Sequence, residues 1–459
     1  MGRDRGRLQD YRHILQTAIP LILATGYLAI LEFFDRMFLA WYSKEALAAV
    51  TPASALALTC TSLFTGILVY VGNIVAQYQG AKIEEKVGSI LWQGIWLTVL
   101  SGVILVIISC FSEIVFKIVG HEHSLQPMQV VYFGIIMKGA IFSLLTTLFM
   151  SFYAAVGKYI IVGVTIVSSI VINVFLDYCM IFGKFGFEEM GVRGSALSTV
   201  IGSAITALIF IVYLFLSECR KRFHIVQPKF IDMKLFQHIF KFSLSNGVVF
   251  FLDSIGFTLF LLLIGRVGVN ELAASNVAIN ISNVIFLPVF GFGMAISVIV
   301  GECMGRKEPE VAQRYVKKGF HLVYLYVVPI CLIFWFAPEL FVNMFVRNLA
   351  VEQREIIMSV SSVILKIVAV YTLFDAIDIT LTSCLKGSGD VVYVMCATVF
   401  ANVFILMLPT YFLVLKLGMS LYVGWGIFAM TIIGMSAIYI SRYKSYKWKK
   451  ATLIEPELI

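Results

Sequence analysis

The sequence predicts an all-α membrane protein, with twelve transmembrane helices arranged as two pseudo-symmetric six-helix lobes. Three observations carry that prediction. Of the 459 residues, 60% are apolar and only 14% charged, and the mean hydropathy is +0.93, far outside the soluble globular range. Twelve apolar runs are each long enough to cross ~30 Å of hydrocarbon, which takes roughly 20 residues. The second half of the chain also repeats the first, the usual mark of a duplicated architecture.

In chain order, the polar stretch 1–13 (MGRDRGRLQDYRH) is expected to be an N-terminal tail. The apolar run after it is too long for a signal-peptide core and has no clear cleavage site, so the tail is expected to be retained. Spans follow at about 14–41, 47–78, 87–112, 128–154, 160–182 and 195–217, forming the first lobe, 14–217. The charged stretch 218–235 (ECRKRFHIVQPKFIDMKL), which contains Pro228, reads as a linker. The second lobe, 236–441, holds spans at about 236–265, 273–303, 313–337, 355–383, 391–415 and 421–441, and 442–459 is a basic tail. With both ends on one side, the loops and tails of that side carry 23 Lys and Arg residues against 8 opposite. The excess of basic residues marks the cytoplasmic face, so both termini are expected in the cytoplasm of a multi-pass protein of the plasma membrane. The formal net charge of +8 then follows from topology and implies no nucleic-acid partner. The eight cysteines are scattered, without a CxxC pair or framework spacing, and predict neither disulfides nor a zinc site.

The repeat is legible position by position. VAQYQGAKIEEKVGSILWQG (75–94) aligns with VGECMGRKEPEVAQRYVKKG (300–319), pairing Gly80 with Gly305 and Gly94 with Gly319 in a constant register, and Leu-Ala-Ala at 47–49 recurs at 272–274 in that same register. Asn173-Val-Phe recurs as Asn402-Val-Phe, with the register drifted only slightly. Six spans return the chain to its starting side, so the two halves have parallel topology. That plan is common among transporters, with sites near the bilayer midplane.

At least five carboxylates fall inside apolar spans, among them Asp35, Asp177, Asp253, Asp375 and Asp378. An acid in hydrocarbon is costly unless it faces water or a partner, so each is a candidate functional residue. In the first span Glu32 lies i,i+3 from Asp35 and i,i+4 from Arg36, so one acid can pair with the arginine while the other stays available. Asp378 lies one turn beyond Asp375 and can share its face. Lys138 and Lys366, at roughly equivalent places in the two halves, are candidate counter-ions along with Arg36, and static or snorkelling lysines are the duller alternative. Gln77 and Glu302 are repeat-related polar residues near helix ends, where solvation explains them as readily as a gate. Gly80 and Gly305 are expected to end those helices. His121 and His123 resemble a metal pair but lack further ligands, and a solvated loop accounts for them. Phe33, Phe34, Phe250, Phe251, Phe257 and Phe374 flank the acids and are candidates for an aromatic path that would attract organic cations.

The twelve spans, Pro20 and Asp35 in the first, GNIVAQYQGAKIEE after the second, Asn173 with Asp177 in the fifth and CLKGSGD (384–390) after the tenth together resemble the multidrug and toxic compound extrusion (MATE) transporters over essentially the whole chain. That resemblance implies a V-shaped pair of lobes and export of cationic, amphipathic drugs in exchange for protons or sodium. It also implies that Asp35, Asn173 and Asp177 form a cation or proton site in the first lobe, with Thr199 of GSALSTV as a hydroxyl ligand. Two carboxylates in one low-dielectric pocket cannot both ionise cheaply, so such a pair can share a proton. Asp253 and Asp375 match acids that NorM-type members use for cation coupling, although Asp253 stands where a longer Glu is usual. The first-lobe pattern points to H+ and the second-lobe acids to Na+, so the coupling ion stays open. No organic cofactor and no metal beyond Na+ is implied, and a monomer in contact with the bilayer and small organic cations is the expected working unit. The competing readings are a lipid-linked oligosaccharide flippase, which would carry extra spans and a basic cavity, and a polytopic membrane enzyme, for which the six histidines form no cluster. No GxxxxGK[ST] loop is present, which argues against direct ATP coupling.

Overall fold

A computed structural model describes residues 2–119, 125–225, 229–265, 267–347 and 351–455. His121, His123 and Pro228 lie outside the described residues. Among those described the chain is helical, with no strand, and twelve helices are long and apolar enough to cross a membrane. The first six are α1 (Gly2–Tyr42), α2 (Lys44–Gly80), α3 (Glu84–Ser109), α5 (Gln126–Ala155), α6 (Tyr159–Phe182) and α7 (Val192–Leu216). The second six are α9 (Met233–Gly265), α10 (Val269–Gly305), α11 (Pro309–Phe336), α13 (Val351–Ser388), α14 (Val391–Phe400) with its continuation, and α15 (Leu421–Lys444). Two short apolar helices not expected from the sequence, α4 (Ser112–Val119) and α12 (Glu339–Val346), precede the fourth and tenth spans. They occupy equivalent places in the two halves and so belong to the repeat.

Local chemistry explains most of the boundaries. A single residue joins α1 to α2, and Ser43 caps the latter by accepting the Ala46 N–H at 2.9 Å. Gly183 ends α6 in the left-handed region, where glycine is least strained. Gly80 and Gly305 are the last residues of α2 and α10, while the left-handed positions fall on Lys82 and Lys307, a pair in the same repeat register. The eleventh span changes from α to π winding at Ala401–Met407 and Thr410–Lys416, on either side of Pro409. Proline has no N–H to offer, and π turns accommodate the altered ladder.

Two segments differ from the sequence expectation. The stretch read as a tail is taken up into α1, which begins at Gly2. Asp10 Oδ2 there accepts from Lys318 at 2.6 Å and Arg314 at 3.1 Å, and the Tyr11 hydroxyl shares a 2.8 Å hydrogen bond with His321 Nδ1. The linker is docked on α3: Arg222 pairs with Glu84 at 2.6 Å, Gln93 and Trp96 donate to the carbonyls of Phe230 and Lys229, and Phe223 and Ile225 are buried. It contains a helical turn, α8 (Cys219–Arg222).

The chain forms two compact units, Met1–Ile22 with Leu252–Thr452, and Leu23–Phe251 with Leu453–Ile459. Both changes of unit within the spans, inside α1 at 22/23 and inside α9 at 251/252, fall within about one helical turn of repeat-equivalent positions. Each unit thus contains the first part of the other half's leading helix. In one unit α9 meets α2 where a Cβ on Gly66 would lie 2.8 Å from Gly247 Cα, and Asn246 donates to the Gly66 carbonyl at 2.7 Å. In the other, α1 meets α10 where a Cβ on Gly291 would lie 2.5 Å from Ile22 Cα. Gly66 with Gly291, and Ile22 with Gly247, stand in the same register as Gly80 with Gly305, so the contact itself is repeated.

Candidate functional site

The unit built on Leu23–Phe251 gathers acids from α1 and α6 around α7. Asp35 is 7% exposed and Asp177 is fully buried. Asp35 Oδ1 accepts from the Ser195 hydroxyl and its Oδ2 from Tyr132 of α5 at 3.5 Å, while Asp177 Oδ1 accepts from the Ser198 hydroxyl. The two carboxylates lie within each other's field. Asp177 Oδ2 is buried without a hydrogen-bond partner among the described residues. Asn173, one turn before Asp177, is buried beside Gly202 of α7.

Among the described residues no basic side chain makes an ion pair with either acid. Arg36 is bound to Glu32 at 2.5 Å on a partly exposed face, the division of labour that the helical spacing allows. Lys138 is exposed. Thr199, expected as a hydroxyl ligand, donates to the Ser195 carbonyl at 3.1 Å. A threonine inside a helix readily bonds back to the i−4 carbonyl, and the serines at 195 and 198 face the acids instead. Both serines stand in the GSALSTV segment. An i,i+3 hydroxyl pair on one helix face was the signal available for finding them.

The second unit places Asp375, Asp378 and Lys386 along α13 at spacings of 3 and 8, one stripe of the helix, with Asp253 on α9. Asp253 is exposed, and Asp375 and Asp378 are half-buried. An exposed carboxylate at membrane depth must face water or protein rather than lipid. Asn402 Nδ2 lies 3.5 Å from Asp253 Oδ1 and donates to the Thr398 carbonyl at 3.2 Å. A Cβ on Gly256 would sit 2.6 Å from Asn402 Oδ1, so glycine there admits the amide. Lys386 interacts electrostatically with both Asp253 and Asp378. Lys366 is exposed, and the lysine in the field of these acids is therefore Lys386. Asn402 was marked in the sequence by its repeat relation to Asn173, whereas Lys386 stood in the CLKGSGD segment with nothing to separate it from a helix-end solvating residue.

The aromatic candidates divide. Phe257 joins a cluster with Phe428 at 6.3 Å, which continues to Tyr371 at 5.5 Å from Phe428, one turn before Asp375. Phe374 is half-buried, and its carbonyl accepts from Ser436 at 2.7 Å. Phe33 is 62% exposed and packs edge-on to Phe34, while Phe250 and Phe251 are half-buried in the unit that does not hold Asp253. Gln77 is fully buried and accepts the Leu453 N–H at 2.8 Å, and Glu302 pairs with Arg306. Among the described residues no three His, Cys, Asp or Glu side chains are grouped closely enough to hold a metal ion.

A duplicated set of twelve helices long and apolar enough to cross a membrane, with carboxylates inside both units, is the plan of a polytopic transporter. The comparisons agree. The family model MatE matches twice, at residues 20–179 and 247–412, once in each half, and the chain belongs to this family, the MATE transporters. It is 26% identical to a probable multidrug resistance protein NorM of Thermotoga maritima, over 98% of this chain and 95% of that one. It is 24% identical to the probable multidrug resistance protein YoeA of Bacillus subtilis, covering 94% and 93%. Among solved structures, a MATE in the bent conformation superposes with a TM-score of 0.85 at 16% identity, covering 96% of each chain. The eukaryotic MATE transporter AtDTX14 gives 0.84 at 17% identity, covering 96% and 97%.

Proposed function

We propose that this chain is a secondary antiporter that exports cationic, amphipathic compounds in exchange for H+ or Na+ by alternating access, with both termini on the cytoplasmic side of the plasma membrane. The observation that carries the coupling assignment is the pairing of two buried carboxylates, Asp35 and Asp177, held by hydroxyl groups alone, with one oxygen of Asp177 lacking a protein donor among the described residues. Such a pair gains most from a proton or a small hard cation arriving from solution, because charge is costly in a low-dielectric site. The relatives named as multidrug resistance proteins support the substrate class. In the cycle, the outward-facing state loads the ion at Asp35 and Asp177, and neutralisation releases the drug. The inward-facing state discharges the ion and restores the charge that attracts the next cation. This requires different ion affinities in the two states. Asp253 and Asp375 form the second site. Lys386 lies in the field of Asp253 and Asp378 there, whereas no basic side chain among the described residues pairs with Asp35 or Asp177, and that makes the first pair the principal ion carrier.

The test is uptake of a fluorescent organic cation by inside-out proteoliposomes under an imposed proton or sodium gradient, for wild type, Asp35→Asn, Asp177→Asn and Asp253→Asn. Gradient-driven uptake lost in the first two variants supports the assignment. Full transport in both variants, with normal folding, refutes the site. Absence of wild-type uptake under either gradient refutes the exchange mechanism.

A further inference from the structure

Beyond Lys444 the chain makes two successive attachments. Trp448, fully buried, stacks on Tyr443 at 5.5 Å, and Lys449 reaches Glu310 at 2.8 Å and Gln313 at 2.7 Å on α11. The chain leaves that unit at Thr452, and Leu453 already belongs to the other. Leu453 is 0% exposed, its N–H donates to Gln77 Oε1 of α2 at 2.8 Å, and its carbonyl lies 2.8 Å from His238 Nε2 of α9. The other ring nitrogen, His238 Nδ1, lies 2.9 Å from Glu455 Oε1.

Both ring nitrogens of a buried histidine therefore face acceptors, a carbonyl and a carboxylate. Neutral imidazole has one N–H and can satisfy only one of them, whereas imidazolium donates to both. The ring is held edge-on to Phe242 at 5.0 Å, so rotation does not relieve the mismatch. The ionisable groups around it are Glu455 from the tail, Tyr78 from α2, which lies in the field of Glu455, and Lys241 on the ring's own helix, with its ammonium over Phe242.

We propose that residues 453–455 form a proton-operated tether, docked on Gln77 and His238 while the imidazole carries its second proton and released when it becomes neutral. The tether docks on α2 and α9 of its own unit, while the chain just before it, to Thr452, belongs to the other. The sign follows from the geometry: the doubly protonated ring donates to both acceptors and the neutral ring to one, so the tail is held more tightly at lower pH and less tightly as pH rises. Losing one charge-assisted hydrogen bond should weaken docking about tenfold.

Hydrogen–deuterium exchange of the full-length protein in nanodiscs, followed in peptides covering 451–459 from pH 5.5 to 8.5 and normalised to intrinsic amide rates, tests this. Wild type should lose about tenfold protection across the range. Glu455→Gln, at a side chain 52% exposed and so safe for folding, should flatten the profile, and His238→Asn should abolish its pH dependence. Wild-type protection that does not change with pH, or an unaltered profile in either variant, overturns the proposal.

Discussion

Substituting alanine for the two crossing glycines tests whether the repeated helix crossing rests on backbone contact. A Cβ at Gly291 would meet Ile22 Cα at 2.5 Å and its N at 2.7 Å, and one at Gly66 would meet Gly247 Cα at 2.8 Å and the Asn246 carbonyl at 2.9 Å. These are main-chain atoms that no rotamer change can move. Overpacking of this kind costs about 1–3 kcal/mol, and the gain in helix propensity from glycine to alanine returns about 1 kcal/mol. Gly291→Ala and Gly66→Ala should therefore each lose up to ~2 kcal/mol net. Two internal controls come from the same fold. Gly134 on α5 has nothing within 4 Å of the added carbon, so alanine there should leave stability unchanged or raise it by about 1 kcal/mol. Gly94 faces the tip of Leu148 at 2.7 Å, a flexible neighbour that can yield, and should fall between. The assay is thermal unfolding in detergent followed by fluorescence-detected size-exclusion chromatography. At roughly 2–4 °C per kcal/mol for a unit of this size, the crossing variants should melt below wild type, by up to ~4–8 °C. If they melt at or above Gly134→Ala, neither unit is held by this backbone contact.

Three further outcomes are expected at the acids. Ser195→Ala should cut gradient-driven cation uptake about tenfold by removing a hydroxyl donor from a buried carboxylate, while Thr199→Ala, whose hydroxyl serves its own helix, should stay within about twofold of wild type in the same assay. Lys386→Met should lower both melting temperature and uptake, because it removes the lysine that interacts with Asp253 and Asp378, and Lys366→Met at an exposed position should leave both unchanged. Gly256→Ala should reproduce the uptake defect of Asn402→Ala without touching an acid, since the added carbon would displace the amide that lies against Asp253. Different phenotypes for those two variants would show that the amide does not act through Asp253.

Much of this molecule was legible because membrane burial forces a coarse, readable pattern. The apolar runs located the twelve spans, and the order of motifs pointed to the family. The helical spacing of Glu32, Asp35 and Arg36 provided for one acid paired with the arginine and one left alone, and only the structure shows that Glu32 is the paired one. What stayed hidden were interactions decided by direction rather than composition. Thr199 and Ser198 are adjacent hydroxyl residues, and only the helix rotation says which meets an acid. Lys366 and Lys386 are both lysines of the tenth span, well separated along α13. The first is exposed and the second shares the field of the acids, a difference that apolarity alone does not encode. The docked ends were hidden for a different reason: polarity in the stretch 1–13 and in the linker suggested solvent, yet Asp10, Arg222 and the carbonyls of Lys229 and Phe230 find partners on neighbouring helices.

The duplication constrains the two halves unequally. Backbone features obey it closely: the unit changes inside α1 and α9, the glycine crossings, the short helices before the fourth and tenth spans, and the left-handed lysines all recur in nearly one register. Side-chain chemistry does not. Asn173 and Asn402 keep their relation, but the first stands in a hydroxyl-lined acid pair and the second beside acids that share a lysine. Helix crossings are fixed by sterics that act on every residue of a packed segment, so one copy cannot drift without unfolding its unit. A carboxylate's partner is a single side chain, free to change as long as the buried charge stays satisfied. Repeated backbone with unmatched acids therefore describes one packing plan carrying two chemically different acid clusters, and the variants at Ser195 and Lys386 test what each contributes.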